Sequence, residues 1–150
     1  MKNIIFVLLL ATSLFGNEVF KLTIDKNINK IYPQLINALE NSHLIVVSEI
    51  DILDKFKHAG LPKKFGKEFN TSELTAIKAI IACNGFYGNY ISNADPEMMA
   101  ICPIRITIIE KDGKTTLLFI KPSHLAKDSK ALNIVLKLEN KVISVLNSLK

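Results

Sequence analysis

Two thiols are the most reactive side chains in this sequence. Cys83 and Cys102 bracket the stretch CNGFYGNYISNADPEMMAIC and are the only cysteines of the 150-residue chain. Such a pair can be a redox couple, a metal clamp, a structural staple or two small buried side chains. Nucleophilic catalysis needs a base beside the thiol, and His43, His58 and His124 fall instead at a strand start, a helix end and a post-strand turn. Met98, Met99 and Cys102 lie close together in sequence and are soft enough for Cu(I). Adjacent methionines before a strand more often fill a core, however. No two histidines stand four apart, and the paired-cysteine pattern of zinc sites and the Cys-x-x-Cys-His of attached haem are missing. No metal and no cofactor is therefore assigned.

The other polar motifs are less specific. Asp51 and Asp54 read as the cap and first-turn acid of a short helix, not as a catalytic pair. Gly85 and Gly88 match no phosphate-binding fingerprint. Asn70, in Glu68-Phe69-Asn70-Thr71-Ser72, meets the N-glycosylation pattern and has an acid two residues before it. Local capping by Asn70 or Thr71 explains the same residues.

The chain opens MKNIIFVLLLATSLFGNEVF: one lysine, an apolar run from Ile4 to Ala11, then small and polar residues. This is the layout of a secretory signal peptide, too short to span a bilayer, which takes about 20 residues. Cleavage after Gly16 makes residues 1–16 the signal and 17–150 a single domain, exported to the periplasm with no transmembrane segment left. The formal charge of +5 has its excess late, six lysines against Asp128 and Glu139 in residues 121–150. In an exported protein that suits a solvated helix face or loose attraction to a partner, not nucleic acid.

Alternation and helical spacing supply the elements that hold these groups. VFKLTI, LIVVSEIDI, LTAIKAIIACN, ICPIRITIIE and KTTLLFI read as strands. A helix follows the first strand, with Asn29 as cap, and a short one runs from Asp51 to a stop at Gly60. Residues 61–73 read as a basic loop. A long helix runs from about Asp128, its stripe being Leu132, Val135, Leu138, Val142, Val145 and Leu149. The class is α+β, β-α-β4-α, an antiparallel sheet with the long helices on one face.

Asp112-Gly113 is a strong hairpin signal. It sets Ile108 opposite Leu117 and Ile106 opposite Phe119, facing the helices. Setting Cys83 opposite Cys102 likewise pairs Ile81 with Ile104, Ala79 with Ile106 and Ile77 with Ile108, so a disulfide between Cys83 and Cys102 is expected in an oxidising compartment. The second face then carries Lys78, Ile80, Arg105, Ile109, Leu118 and Ile120, too apolar for a face in water. Its expected partner is a second copy of the chain or a small anionic or apolar ligand.

The segments SEIDI, CNG, ADPEMMAICPIRI, EKDGKT and KPS resemble, in order and spacing, the family named domain of unknown function 302, over most of residues 19–149. The resemblance implies a β-α-β4-α layout similar to the TATA-binding-protein fold, and no biochemical activity. Cys83, Asn84, Pro103 and Arg105 match it residue by residue. Family members often carry a cysteine after the proline where this chain has Cys102 before it. These readings together point to an exported, noncatalytic binding or accessory protein acting through the second sheet face. A thiol-disulfide carrier or enzyme using Cys83 and Cys102 is the alternative.

Overall fold

The computed structural model describes residues 18–150; the expected signal peptide, 1–16, lies outside them. Among the described residues no helix is long and apolar enough to cross a membrane. The chain runs β1 (Val19–Ile24), α1 (Ile28–Asn41), β2 (Ile45–Asp51), α2 (Ile52–His58), α3 (Leu61–Phe65), β3 (Ala76–Cys83), α4 (Gly85–Ala94), β4 (Ile104–Lys111), β5 (Lys114–Ile120) and α5 (Leu132–Asn147). The strands form one antiparallel sheet in the order β1-β5-β4-β3-β2. This is the expected α+β class.

Caps and turns explain most boundaries. Asn27, not Asn29, starts α1: its Oδ1 accepts from the Lys30 N–H at 3.2 Å. Asp51 caps α2 by accepting from the Asp54 N–H at 3.0 Å, and Gly60, at φ 74°, ends that segment in the left-handed region. Residues 61–68, expected as loop, instead hold α3 and a 3-10 turn, Gly66–Glu68. Pro62 explains the first, since its ring presets φ for an opening helical turn. The crossing after β3 is a ten-residue helix, α4. Its cap is Asn84, whose Oδ1 accepts from the Tyr87 N–H at 3.0 Å. Helix α5 begins at Leu132, later than Asp128, because a Ser129 hydroxyl accepts from the Ala131 N–H and holds the entry as a turn. Asp112 and Gly113, at φ 51° and 70°, form the hairpin turn, and β4 and β5 pair in the expected register.

The pairing of β3 with β4 differs by one residue. Ile80 faces Ile106, Ala82 faces Ile104 and Lys78 faces Ile108. A one-residue step exchanges the two faces of a strand, so Lys78 and Ile80 belong to the helix side, while Ile77, Ala79 and Ile81 point to the second face. The cause is twofold. AIKAIIAC is apolar at nearly every position, so its pattern does not mark an inward face. Cys102 also stays out of the ladder: it ends the 3-10 turn Pro96–Ile101, and the β3–β4 pairing stops at Ala82 with Ile104.

The main core lies between the sheet and helices α1, α4 and α5. Ile80, Ile106, Ile108 and Leu117 from the sheet meet Ile31, Leu35, Ile91, Val135 and Val142 from the helices, all fully buried. On the other side, α2 packs on β3, with α3 beside it, burying Leu53 and Ala79. Edge strand β2 carries a bulge between Val46 and Ser48, which blunts its open edge.

The register has a direct test. Ile80→Ala is expected to cost about 2–5 kcal/mol, as for a fully buried isoleucine, whereas Ile81→Ala, half-buried, costs about 1 kcal/mol. Equilibrium denaturation of both variants measures the difference; the reverse order of stabilities would return Ile80 to the second face.

Candidate functional site

The half of the second face that α2 and α3 leave open is built by β1, β5, β4 and the end of β3. Alternation turns Val19, Arg105, Thr107, Leu118 and Ile120 outward there, with Val19 opposite Ile120, Lys21 opposite Leu118 and Ile81 opposite Arg105. A depression of about 340 Å³ is lined by Ile81, Ile101, Pro103, Arg105, Pro122 and Leu125. A second, of about 220 Å³, is lined by Val19, Arg105, Thr107, Leu118 and Ile120. Arg105, Phe119 and Ile120 border both, so the two adjoin. Ile120 is 54 % exposed and Leu125 68 %, a large apolar opening for a sheet face.

Arg105 is exposed and has no carboxylate partner among the described residues, whose ion pairs are His58–Asp54, Lys78–Asp51, Lys111–Glu73 and Lys114–Asp25. A guanidinium over an apolar bed keeps its planar fork of donors available to an anion.

Of the residues expected on this face, Arg105, Leu118 and Ile120 come together. Ile109 shares the face but pairs with Ile77 and Thr116 and lines neither depression. Ile80 is core. Lys78 is engaged on the helix side, its Nζ 3.1 Å from Asp51 and 5.2 Å from the centre of the Tyr32 ring. Burial, then the hydrogen bond from the Tyr32 hydroxyl to Glu49 at 2.8 Å, raise the Tyr32 pKa. For Asp51, burial acts upward, but the Asp54 N–H and Lys78 outweigh it and hold the carboxyl below its ordinary value. Ile81, Ile101, Pro103, Pro122 and Leu125 were not expected in the site. Only the β3 register and the fold of two loops bring them there.

The two cysteines do meet, outside the ladder. Their sulfurs are 3.6 Å apart and not bonded, both half-buried. Burial first, then Cys83 beside it, push the Cys102 thiol up to about 11. Among the described residues no third His, Cys, Asp or Glu converges on the pair. Met98 packs on the core and Met99 is exposed. Asn84, next to Cys83, is structural: buried, it caps α4 and donates from Nδ2 to the His43 carbonyl at 2.9 Å. Asn70 is similarly engaged, donating to the Leu74 carbonyl at 2.9 Å and accepting from the Leu74 N–H at 3.1 Å. Its carboxamide closes the loop before β3 from a left-handed backbone, φ 52°. That is the capping role, and it leaves the amide that glycosylation would use inside a hydrogen-bonded ring.

A family model described as "Domain of unknown function DUF302" matches residues 20–149. A crystal structure of an uncharacterized conserved DUF302 protein from Bacillus stearothermophilus is similar with a TM-score of 0.76 and 17 % identity. The match covers 89 % of this chain and 98 % of that one. No curated protein matches this chain.

The thiol environment is measurable by alkylation. In the reduced protein, carboxymethylation of Cys102 followed by peptide mass spectrometry is expected to rise with a midpoint near pH 11, in place of the ordinary 9.0. The sign follows from burial, which disfavours the thiolate. A midpoint at 9.0 or below would mean that burial does not control this thiol.

Proposed function

The chain belongs to the DUF302 family, and from that premise we propose that it is an exported, noncatalytic binding protein whose ligand is a small amphiphilic anion held on the open half of its sheet. One observation carries the reading. Arg105, without a carboxylate partner among the described residues, stands between two adjoining apolar depressions. An apolar ligand body fits Ile81, Ile120 and Leu125, and a carboxylate or phosphate at its end fits the guanidinium. The larger depression, about 340 Å³, is at the small end of the range for ligand sites. Export rests on the layout of residues 1–16.

Decanoate is a suitable probe, with decanol as its uncharged control. Decanoate is expected to bind the wild type, and Arg105→Ala to weaken it about ten- to hundred-fold, the loss of one charged hydrogen-bonding partner. Decanol should bind both proteins alike. The substitution should alter stability by no more than about 1 kcal/mol, being on the surface. Titration calorimetry and thermal melting give both numbers. Equal decanoate affinity in the two proteins would sink the assignment, as would a dimer in sedimentation that closes over Ile120.

The sulfur separation favours one further reading, that the exported form carries a Cys83–Cys102 disulfide. Thiols 3.6 Å apart need only a small approach, and an oxidising compartment tends to join such pairs. The two thiols would pass two protons and two electrons to a disulfide-bearing oxidant of that compartment, whose S–S bond breaks to a dithiol as the Cys83–Cys102 bond forms. Closing a loop of about 20 residues is worth about 3 kcal/mol in the chain-entropy account. Non-reducing peptide mapping of the exported protein is expected to find the bridge. Two freely alkylated thiols in that form would defeat it.

A further inference from the structure

The basic residues of α2, α3 and the turn after them form a second surface, unconnected with Arg105. Lys55, Lys57, Lys63, Lys64 and Lys67 are all exposed, and no acid lies between Asp54 and Glu68. Among the described residues none of the five pairs with a carboxylate; His58, the other basic group there, contacts Asp54 at 3.2 Å. Five lysines against the flanking Asp54 and Glu68 leave a local excess of three positive charges in a short segment. Self-repulsion makes that arrangement costly unless an anion offsets it.

The same surface exposes aromatic rings. Phe56 is 40 % and Phe65 50 % exposed, each beside a lysine in sequence, and Lys64 Nζ lies 5.7 Å from the Phe65 ring centre. Both rings border a mostly apolar pocket of about 250 Å³ that Leu53, Leu61, Phe69 and Ile77 line with them, with Glu68 and Asn70 at its polar side. Lysines with phenylalanines between them, over an apolar hollow, match the headgroup and acyl zones of a bilayer interface. An anionic polymer read by the lysines alone would leave both rings in water.

We infer that the α2–α3 segment docks on an anionic phospholipid surface, with Lys55, Lys57, Lys63, Lys64 and Lys67 at the headgroups and Phe56 and Phe65 entering the acyl boundary. Each lysine near such a surface adds about five-fold to the partition.

The protein from Asn17 onward serves for the test, since residues 18–150 contain the whole sheet and every helix described above. It is spun with phosphatidylcholine vesicles, with or without phosphatidylglycerol, at low and high salt. Binding is expected only with phosphatidylglycerol and should fall with salt. Lys63→Glu with Lys64→Glu should cut it at least ten-fold. Phe56→Ala with Phe65→Ala should weaken it several-fold while keeping the salt dependence. Circular dichroism checks the fold of each variant, and Lys55→Glu with Lys57→Glu, also at exposed sites, replaces the first pair if that pair does not fold. Equal binding to both vesicle types, or none, overturns the inference. So does binding to polyphosphate or single-stranded DNA as tight as to the anionic vesicles and indifferent to the phenylalanine changes, which would assign the patch to a polyanion.

Discussion

Ile80 lies opposite Ile106, and the direction of every side chain in the middle of the sheet depends on that pairing. With this register Ala82 and Lys78 join Ile80 against the helices, and Ile77, Ala79 and Ile81 point the other way. Strand β3 is thus apolar on both faces and needs cover on both. Helices α1, α4 and α5 supply one cover. The other is short: α2, with α3 beside it, shields Ile77 and Ala79, while the end bearing Ile81, Arg105 and Ile120 stays open. The candidate ligand site is the part of an apolar sheet face that its own chain does not cover.

Buried and half-buried polar groups hold the crossings around this sheet. Glu110 accepts from the Ile28 N–H at 2.6 Å and from the Thr75 hydroxyl at 2.7 Å, tying the starts of α1 and β3 to β4. Asn84 joins the α4 cap to the turn before β2. Glu139 accepts from the Ser123 N–H at 3.0 Å and fixes the segment that carries Leu125 beside the groove. Each satisfies a backbone group that burial would otherwise leave unpaired. Arg105 serves no such purpose, which separates it from the polar residues that maintain the fold.

Among the described residues ion pairs are few on both sides of the sheet, and Lys30, Lys137 and Lys141 of α1 and α5 are in none of them. On the helix side, Lys78 meets Asp51 and Tyr32 meets Glu49, so these groups are matched within the molecule. On the other side, Arg105 and the lysines of α2–α3 have no such partners among the described residues. Both of the latter groups stand beside apolar hollows, and both point to partners that combine negative charge with hydrocarbon.

Local chemistry determined much of this molecule from sequence alone. The order of the strands and of the two long helices, the Asp112-Gly113 hairpin with its register, the α2 cap at Asp51 and the apolar stripe of α5 all follow from patterns within a few residues of one another. Arg105, Leu118 and Ile120 were legible as outward-facing because the hairpin turn sets their parity. Tertiary structure decided the rest. AIKAIIAC presents apolar groups at both parities, so only packing against α1, α5 and α2 selects the face for Ile80. Ile81, Ile101, Pro103, Pro122 and Leu125 come from separated segments with no shared period, and only the folded chain gathers them around Arg105. The cysteines meet for a reason that strand pairing did not contain: the 3-10 turn Pro96–Ile101 returns Cys102 to the end of β3 after the ladder has stopped.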